Sequence, residues 1–235
     1  MEKKDLLKDV IKHIDIKSYN STELVDAMRN MSFTSRDTAR AADILMMMCK
    51  EKECTNILTL AGSTSAAGCM QVYVDMVRNK MIDVVVATGA SIIDMDLFEA
   101  LGYKHYIGEK ENVIPDTTLR DLYIDRIYDT YIDEEELQAC DHSTYELANM
   151  LEARPYSSRE FIYEIGKWLH NGKAVKKDSL IQTCYECGVP IFVPAFSDSS
   201  AGFGIGKHQW ERMQKGEKYL SIDSVKDFVE LTQIK

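Results

Sequence analysis

The chain contains three short apolar runs with the length and β-branched composition of buried parallel strands. They cover residues 56–60, 83–87 and 189–193. Longer segments with apolar residues at helical spacing lie between them. This alternation predicts an α/β fold: a Rossmann-like, mostly parallel sheet with helices on both faces, joined by right-handed crossovers.

Signals for helix ends support this prediction. Helices are expected over residues 34–48, 65–79, 133–150, 157–171 and 179–187. Thr34 and Ser157 each begin a capping-box pattern, and Gly188 closes the last of these helices. The acidic residues 133–136 fit the first turn of a helix, because carboxylates stabilise the positive end of the helix dipole.

The domain organisation is predicted to be simple. No linker-like composition divides the 235 residues, so we expect a single domain over residues 1–235, with residues 1–33 as an N-terminal helical extension. Residues 103–133 fit neither the helix period nor the strand period, because Asp, Arg and Tyr interrupt their apolar positions. That stretch is predicted to be an irregular connection with short helices.

Charge and terminal composition exclude several classes of function. The net charge is −10 and no run of Lys and Arg is present, which argues against a nucleic-acid partner and favours a cationic ligand. The first residues alternate charged with apolar side chains, unlike a signal peptide or a spanning helix. We therefore expect a cytoplasmic protein with no membrane partner.

The cysteines and histidines do not form a metal or hydrolase motif. The six cysteines are scattered through helical and apolar contexts and are expected to be reduced thiols. Cys184 and Cys187 have the spacing of a redox or metal pair, but they lie in a predicted helix closed by Gly188, and no second pair or neighbouring histidine completes a zinc site. His105 and His208 lie nearer the strand ends, yet no Ser or Cys nucleophile motif accompanies either.

Each predicted strand is followed by a turn of small and hydroxyl residues. The three turns cover residues 61–68, 88–91 and 195–202. Ligands bind at the carboxyl ends of the strands in an open parallel sheet, so three such turns at one edge form a coherent site. We therefore expect Ser63, Gly89 and Asp198 to lie close together.

The first turn, from Gly62 to Gly68, has some of the features of a nucleotide-binding turn. Its small side chains allow backbone N–H groups and the start of a helix at Ser65 to approach a pyrophosphate. The turn lacks the G-x-G-x-x-G spacing. A tight turn that uses glycine for packing alone therefore stays an equal alternative.

Carboxylates follow the other two strands. Asp94 and Asp96 come shortly after the second strand, and Asp198 lies between two serines in the third turn. Such side chains bind ribose hydroxyls or a polyamine ammonium, but Asp is also a common cap and turn residue. The setting favours a functional role for Asp198, whereas capping is nearly as good an explanation for the other two.

These segments resemble successive blocks of deoxyhypusine synthase. The matching blocks are residues 61–68, 83–90 and 189–200, and the resemblance extends over nearly the whole chain. Residues 98–106, 154–161 and 203–208 are most similar to the prokaryotic deoxyhypusine-synthase-like branch, whose substrates are more varied than those of the eukaryotic enzymes.

The resemblance implies an NAD-dependent aminoalkyl transferase. In the family, NAD takes a hydride from spermidine, and an enzyme lysine captures the resulting butylimine as a Schiff base. The 4-aminobutyl group then passes to a lysine of translation factor 5A, where NADH reduces the imine by returning the hydride. The family also implies a homo-oligomer, either a dimer or a tetramer. With Asp94 from the carboxylate argument, the candidate NAD contacts are Gly62, Ser63, Thr88, Gly89, Ala90, Asp94 and Asp198. Ser200 matches a serine of the family's substrate pocket.

The sequence departs from the family pattern at two places. Residues 201–203 are apolar where the eukaryotic pattern supplies an acidic residue for the amine end of spermidine. The sequence ends at Lys235, where family members continue into a glycine-rich cofactor loop and a Trp-Gly-Lys motif that carries the nucleophile. We therefore expect a C-terminally incomplete fold, assign no catalytic residue, and expect no aminobutyl transfer by this chain alone.

Several interpretations stay open at this point. The chain is a fragment or a split subunit of such a transferase, a homospermidine-synthase-type enzyme, or a catalytically inactive NAD-binding paralogue or regulatory subunit. A nucleotide-binding sensor unrelated to polyamines is the alternative from another class. Binding assays with NAD and spermidine separate the sensor from the others.

Overall fold

A computed structural model describes residues 1–109 and 114–234. The strands are β1 (Ile57–Leu60), β2 (Val84–Ala87), β3 (His105–Ile107), β4 (Ile124–Ile127), β5 (Thr130–Asp133), β6 (Pro155–Tyr156), β7 (Ile191–Phe192) and β8 (Ser221–Ile222). The α-helices are α1 (Lys3–Leu6), α2 (Thr22–Met28), α3 (Phe33–Lys50), α4 (Met70–Arg78), α5 (Phe98–Ala100), α6 (Asp116–Asp121), α7 (Glu134–Met150), α8 (Ser158–Trp168), α9 (Leu180–Cys187), α10 (Ser200–Gln214) and α11 (Ser224–Leu231). Tighter or wider helical segments are Ile16–Ser18, Ser65–Cys69, Ala90–Leu97 and Leu169–Lys173.

The predicted strands form a parallel sheet in the order β1-β2-β7. Leu60 pairs with Ala87, and Val86 pairs with Phe192. The register aligns the carboxyl ends of the strands at one edge, because all three run in the same direction. The strand predictions are therefore confirmed, and the observed strands are shorter than the apolar runs that indicated them.

Helices pack with this sheet into the main hydrophobic core. Val85 of β2, Phe161 and Ile165 of α8, and Leu180 of α9 are each 0% exposed. Burying one such side chain stabilises the fold by about 1.5–3 kcal/mol. The core therefore fixes the positions of the strand ends. The expected α/β fold class is confirmed.

The ends of most predicted helices are also confirmed. At the start of α8, the Glu160 N–H donates to the Ser157 hydroxyl at 3.1 Å, and the Glu160 carboxylate accepts from the Ser157 N–H at 3.0 Å. Gly188 ends α9 in the left-handed region at φ 72°. The capping box expected at Thr34 does not form, because α3 already begins at Phe33.

Residues 103–133 differ from their prediction. In the described part of this stretch, β3, β5 and β4 form an antiparallel sheet and α6 is a short helix, so the expected irregular connection is wrong. Residues 110–113 lie outside the described residues. Ile124 of β4 is buried and its neighbour Asp125 is exposed, which is the pattern of a half-buried strand. Strands of three or four residues are too short for this period to be recognised.

The described residues contain neither a membrane-spanning helix nor a cluster of metal ligands. None of the described helices combines the length and the apolarity needed to cross a lipid bilayer. Over the same residues, no three His, Cys, Asp or Glu side chains lie together as metal ligands do. All six cysteines are free thiols, and Cys140 and Cys184 are buried among them.

Candidate functional site

The first two turns are joined by direct hydrogen bonds. The Thr88 N–H donates to the Leu60 carbonyl oxygen at 3.0 Å, and the Ser91 hydroxyl donates to the Gly62 carbonyl oxygen at 3.0 Å. Ser91 is 0% exposed, and its Oγ lies 3.1 Å from the Thr88 Oγ1. The backbone N–H of Thr88 and the hydroxyl of Ser91 therefore fix the second turn to the first turn and the end of β1.

The second and third turns touch where Gly89 faces Ser199. A Cβ atom at position 89 would lie 2.4 Å from the Ser199 Cβ and 3.3 Å from the Asp198 carbonyl oxygen, so only glycine allows this approach. Close by, Asp94 Oδ1 accepts from the Ser200 N–H at 3.0 Å and from its hydroxyl at 2.6 Å. The expected convergence of the three turns at one sheet edge is confirmed.

The joined turns leave small residues open to solvent. Gly62 has φ 74°, and a Cβ atom there would meet no atom within 4 Å. Gly62 and Thr88 are exposed, whereas Ser63 and Ala90 beside them are half-buried. This surface can take a flat or extended ligand against its backbone, because its side chains are small and the space at Gly62 is open among the described residues.

Asp198 is the exposed carboxylate of this edge. Its N–H donates to the Ala195 carbonyl oxygen at 2.9 Å, which closes the turn. The side chain is exposed, and none of the hydrogen bonds of the described residues uses its carboxylate oxygens. The side chain is therefore able to accept hydrogen bonds from the hydroxyl groups of a ligand.

The pyrophosphate approach expected at the end of the first turn is not supported. The regular helix begins at Met70 rather than at Ser65, because Gly68 leaves the helical region with φ 96°. A Cβ atom on Gly68 would lie 2.9 Å from the Lys12 carbonyl oxygen, and the Met70 N–H already donates to His13 Nδ1 at 3.2 Å. The packing interpretation therefore holds for Gly68, and the start of α4 is capped by the chain itself.

Asp94 and Ser200 bind each other at the start of α10. Burial raises the pKa of Asp94, and the charge of Asp198 acts in the same direction. Asp94 also satisfies the first N–H of α10, which is one of the unpaired donors at any helix start. The capping interpretation of Asp94 thus has a direct contact behind it, and its assignment to NAD stays a prediction.

Asp141 of α7 is a carboxylate near this site that sequence reasoning missed. Burial and the charge of Asp94 raise its pKa to about 6. Its buried Oδ1 has no hydrogen-bond partner in the described part of the chain. Only the packing of α7 against α10 brings Asp141 here, since Gly204 approaches its carbonyl oxygen, so no spacing in the sequence marks it.

The remaining candidates serve the fold. Asp96 caps α9 by accepting from the N–H groups of Leu180 and Ile181 at 2.8 and 2.7 Å, and burial raises its pKa to about 6. His208 accepts the Leu220 N–H on Nε2 at 3.0 Å, and burial lowers its pKa. Both side chains are engaged with the backbone of their own chain.

Comparison with known proteins identifies relatives of the whole chain. A family model for deoxyhypusine synthase matches residues 23–235. The chain is 63% identical over 234 residues to a deoxyhypusine synthase-like protein of Caulobacter vibrioides, covering 100% of this chain and 63% of that protein. It is 58% identical over 233 residues to a deoxyhypusine synthase-like protein of Coxiella burnetii, covering 99% of this chain and 65% of that protein.

A solved structure shares the fold. It is the crystal structure of an Entamoeba histolytica protein assigned as a deoxyhypusine synthase, with a TM-score of 0.62 and 20% sequence identity, covering 94% of this chain and 73% of that chain. The present chain spans 63% and 65% of the length of the two bacterial relatives. The family match over residues 23–235 and the high identity to bacterial proteins agree, and the chain belongs to the deoxyhypusine synthase family, in its prokaryotic deoxyhypusine-synthase-like branch.

Proposed function

We propose that the chain binds NAD across the edge formed by the three joined turns. The proposal rests on the exposed Asp198 carboxylate. Asp198 lies in the turn that packs on Gly89, and its carboxylate accepts no hydrogen bond from the described residues. A dinucleotide needs a carboxylate for its ribose hydroxyls and a side-chain-free backbone for its phosphates. Asp198 suits the first requirement. Gly62 and Thr88, which are exposed, suit the second together with the half-buried Ala90, whereas Gly89 is buried against Ser199.

The ribose and the phosphates of NAD require different groups of the protein. NAD, when bound, supplies an oxidant that takes a hydride from an amine and returns it. Asp198 orients the ribose by accepting hydrogen bonds, while the second turn presents the start of the helical segment Ala90–Leu97, whose N-cap is Gly89. Anion contacts therefore fall to Gly62 and the second turn, because the N-termini of α4 and α10 are already capped by His13 and Asp94.

We propose a cationic amine as the substrate beside this cofactor. Asp94, Asp141 and Asp198 place three carboxylates around the start of α10, and the net charge of the chain is −10. Carboxylates in a partly buried setting favour an ammonium group over a neutral ligand. Ser200 donates its hydroxyl to Asp94 and lies at the position proposed for substrate contact.

The full reaction we propose is 4-aminobutyl transfer from spermidine or a related polyamine. The acceptor is a lysine of translation factor 5A or another amine, and the protein acts as a homo-oligomer. Family membership supports the transferase class. The details of donor, acceptor and assembly are proposals, because the chain spans 63% and 65% of the two bacterial relatives.

Replacing Asp198 tests the proposed site. Asp198→Asn should weaken NAD binding by about 1–3 kcal/mol, the range for hydrogen bonds to a charged group, and leave the fold intact. Calorimetric titration of folded protein measures this change. Asp121→Asn serves as the matched control, because Asp121 is an exposed carboxylate of α6 in the antiparallel region. Equal NAD affinity of both variants and the wild-type chain would return Asp198 to the status of a turn residue.

A further inference from the structure

The N-terminal segment of residues 9–14 crosses from the antiparallel sheet to the first turn. The Ile11 N–H donates to the carbonyl oxygen of His105, the first residue of β3, at 2.9 Å. Three residues later, the Ile14 N–H donates to the Gly68 carbonyl oxygen at 2.9 Å. The segment is thus fixed at both ends, and one of those ends is the turn proposed to contact NAD.

His13 is the side chain that this segment directs into the protein. Its Nδ1 accepts the Met70 N–H at 3.2 Å, and its Nε2 lies 2.6 Å from Glu99 Oε2. A backbone N–H can only donate, so Nδ1 carries the lone pair and Nε2 carries the proton that Glu99 accepts. His13 therefore caps α4 in a single tautomer.

Glu99 is held as the fixed acceptor of this arrangement. It is 8% exposed and also accepts from His105 Nδ1 at 2.9 Å and from Lys176 Nζ at 2.5 Å. Burial alone would raise its pKa, but the hydrogen bonds from His105 and His13 and the charge of Lys176 together lower the pKa below its ordinary range. Glu99 thus stays a carboxylate and selects the His13 tautomer that can receive Met70.

We propose that His13 is a positioning residue for the first turn: it caps Met70 and thereby holds residues 62–70 in the conformation that contacts NAD. This inference rests on the proposed function, since it concerns the same site. His13 precedes residues 23–235, which match the family model, so the family match alone does not point to it. Without the cap, the Met70 N–H loses its hydrogen-bond acceptor at the helix start. Of the two hydrogen bonds that join residues 68–70 to His13 and Ile14, only the one from the Ile14 N–H to the Gly68 carbonyl oxygen then remains.

Two isosteric substitutions separate the two hydrogen bonds of His13. The Asn Oδ1 atom stands where His Nδ1 stands, so His13→Asn keeps an acceptor for Met70 and loses the bond to Glu99. The Gln Nε2 atom stands where His Nε2 stands, so His13→Gln keeps the donor to Glu99 and loses the acceptor. If His13 only fills space, both variants should bind NAD equally well. If His13 acts by capping Met70, His13→Gln should bind NAD more weakly than His13→Asn.

His13→Gln and His13→Asn should differ in the hydrogen exchange of the first turn and in the affinity for NAD. Hydrogen exchange without nucleotide should become faster over residues 62–71 in His13→Gln and stay near wild type in His13→Asn, while β2 amides are unchanged. Calorimetry should show NAD affinity reduced about tenfold in His13→Gln and within about twofold of wild type in His13→Asn. His142→Gln is the control, because His142 is an exposed histidine of α7.

The outcomes are distinguishable from failure of the proposed function. Wild-type exchange over residues 62–71 in folded His13→Gln would overturn the inference, as would equal NAD affinity of the Asn and Gln variants. Failure of the wild-type chain to bind NAD would contradict the proposed function and with it the cofactor role of His13. The exchange experiment would then still decide whether His13 holds the turn.

Discussion

Gly89→Ala should lower the affinity of the chain for NAD by about 10- to 100-fold, because the added methyl group cannot fit between the second and third turns. Its Cβ would lie 2.4 Å from the Ser199 Cβ and 2.8 Å from the Ser199 Oγ. Ser199 cannot easily turn away, since its hydroxyl donates to the Phe196 carbonyl oxygen at 2.8 Å. The third turn must then move as a unit, and Asp198 moves with it.

Calorimetric titration with NAD measures this effect, alongside a urea unfolding curve for each protein. Gly206→Ala is the matched control, because a Cβ there would meet no atom within 4 Å. NAD binding by Gly206→Ala should equal that of the wild-type chain. Wild-type affinity in Gly89→Ala would mean that the contact of the two turns does not shape the cofactor site.

Gly204→Ala should destabilise the fold by about 1–3 kcal/mol or more, the cost of forcing a side chain into a closely packed contact. A Cβ at this position would lie 2.1 Å from Thr144 Oγ1 and 2.5 Å from the Asp141 carbonyl oxygen. The backbone of α10 therefore approaches α7 so closely that only glycine fits between them. The same contact sets the position of Asp141 near Ser200.

The comparison of Gly204→Ala with Gly206→Ala isolates that contact, because both glycines lie within α10 and have ordinary helical φ values. Gly206→Ala should stabilise the protein by about 0.5–1 kcal/mol through helix propensity alone. The two variants should thus shift the free energy of unfolding in opposite directions. Equal shifts in denaturant titrations would contradict the close approach of α7 and α10.

The parallel sheet and its edge could be predicted from sequence because the information is local. Each strand is an apolar run, and each turn of small residues follows directly along the chain. Parallel strand direction then places the three turns together without further knowledge, as the contact of Gly89 with Ser199 confirms. The caps at Ser157 and Gly188 are predictable for the same reason, since a helix cap depends on neighbours within a few residues.

The parts that sequence reasoning missed depend on distant partners. The sequence leaves phosphate approach and packing as equal interpretations of Gly68, because the atom that requires glycine there is the Lys12 carbonyl oxygen, more than fifty residues earlier. Asp141 reaches the site only through the packing of two helices. The strands β3, β4 and β5 are three or four residues long, too short for a period to be seen.

Hydrogen exchange of the wild-type chain with and without saturating NAD tests the central claim most directly, because it locates the ligand without any substitution. We expect NAD to slow exchange over residues 61–68, 88–91 and 195–202 together, since one ligand covers all three turns. Exchange at the opposite, amino-terminal edge of the parallel sheet should not change. Protection confined to that opposite edge, or no protection at any of the three turns, would contradict the proposed cofactor site.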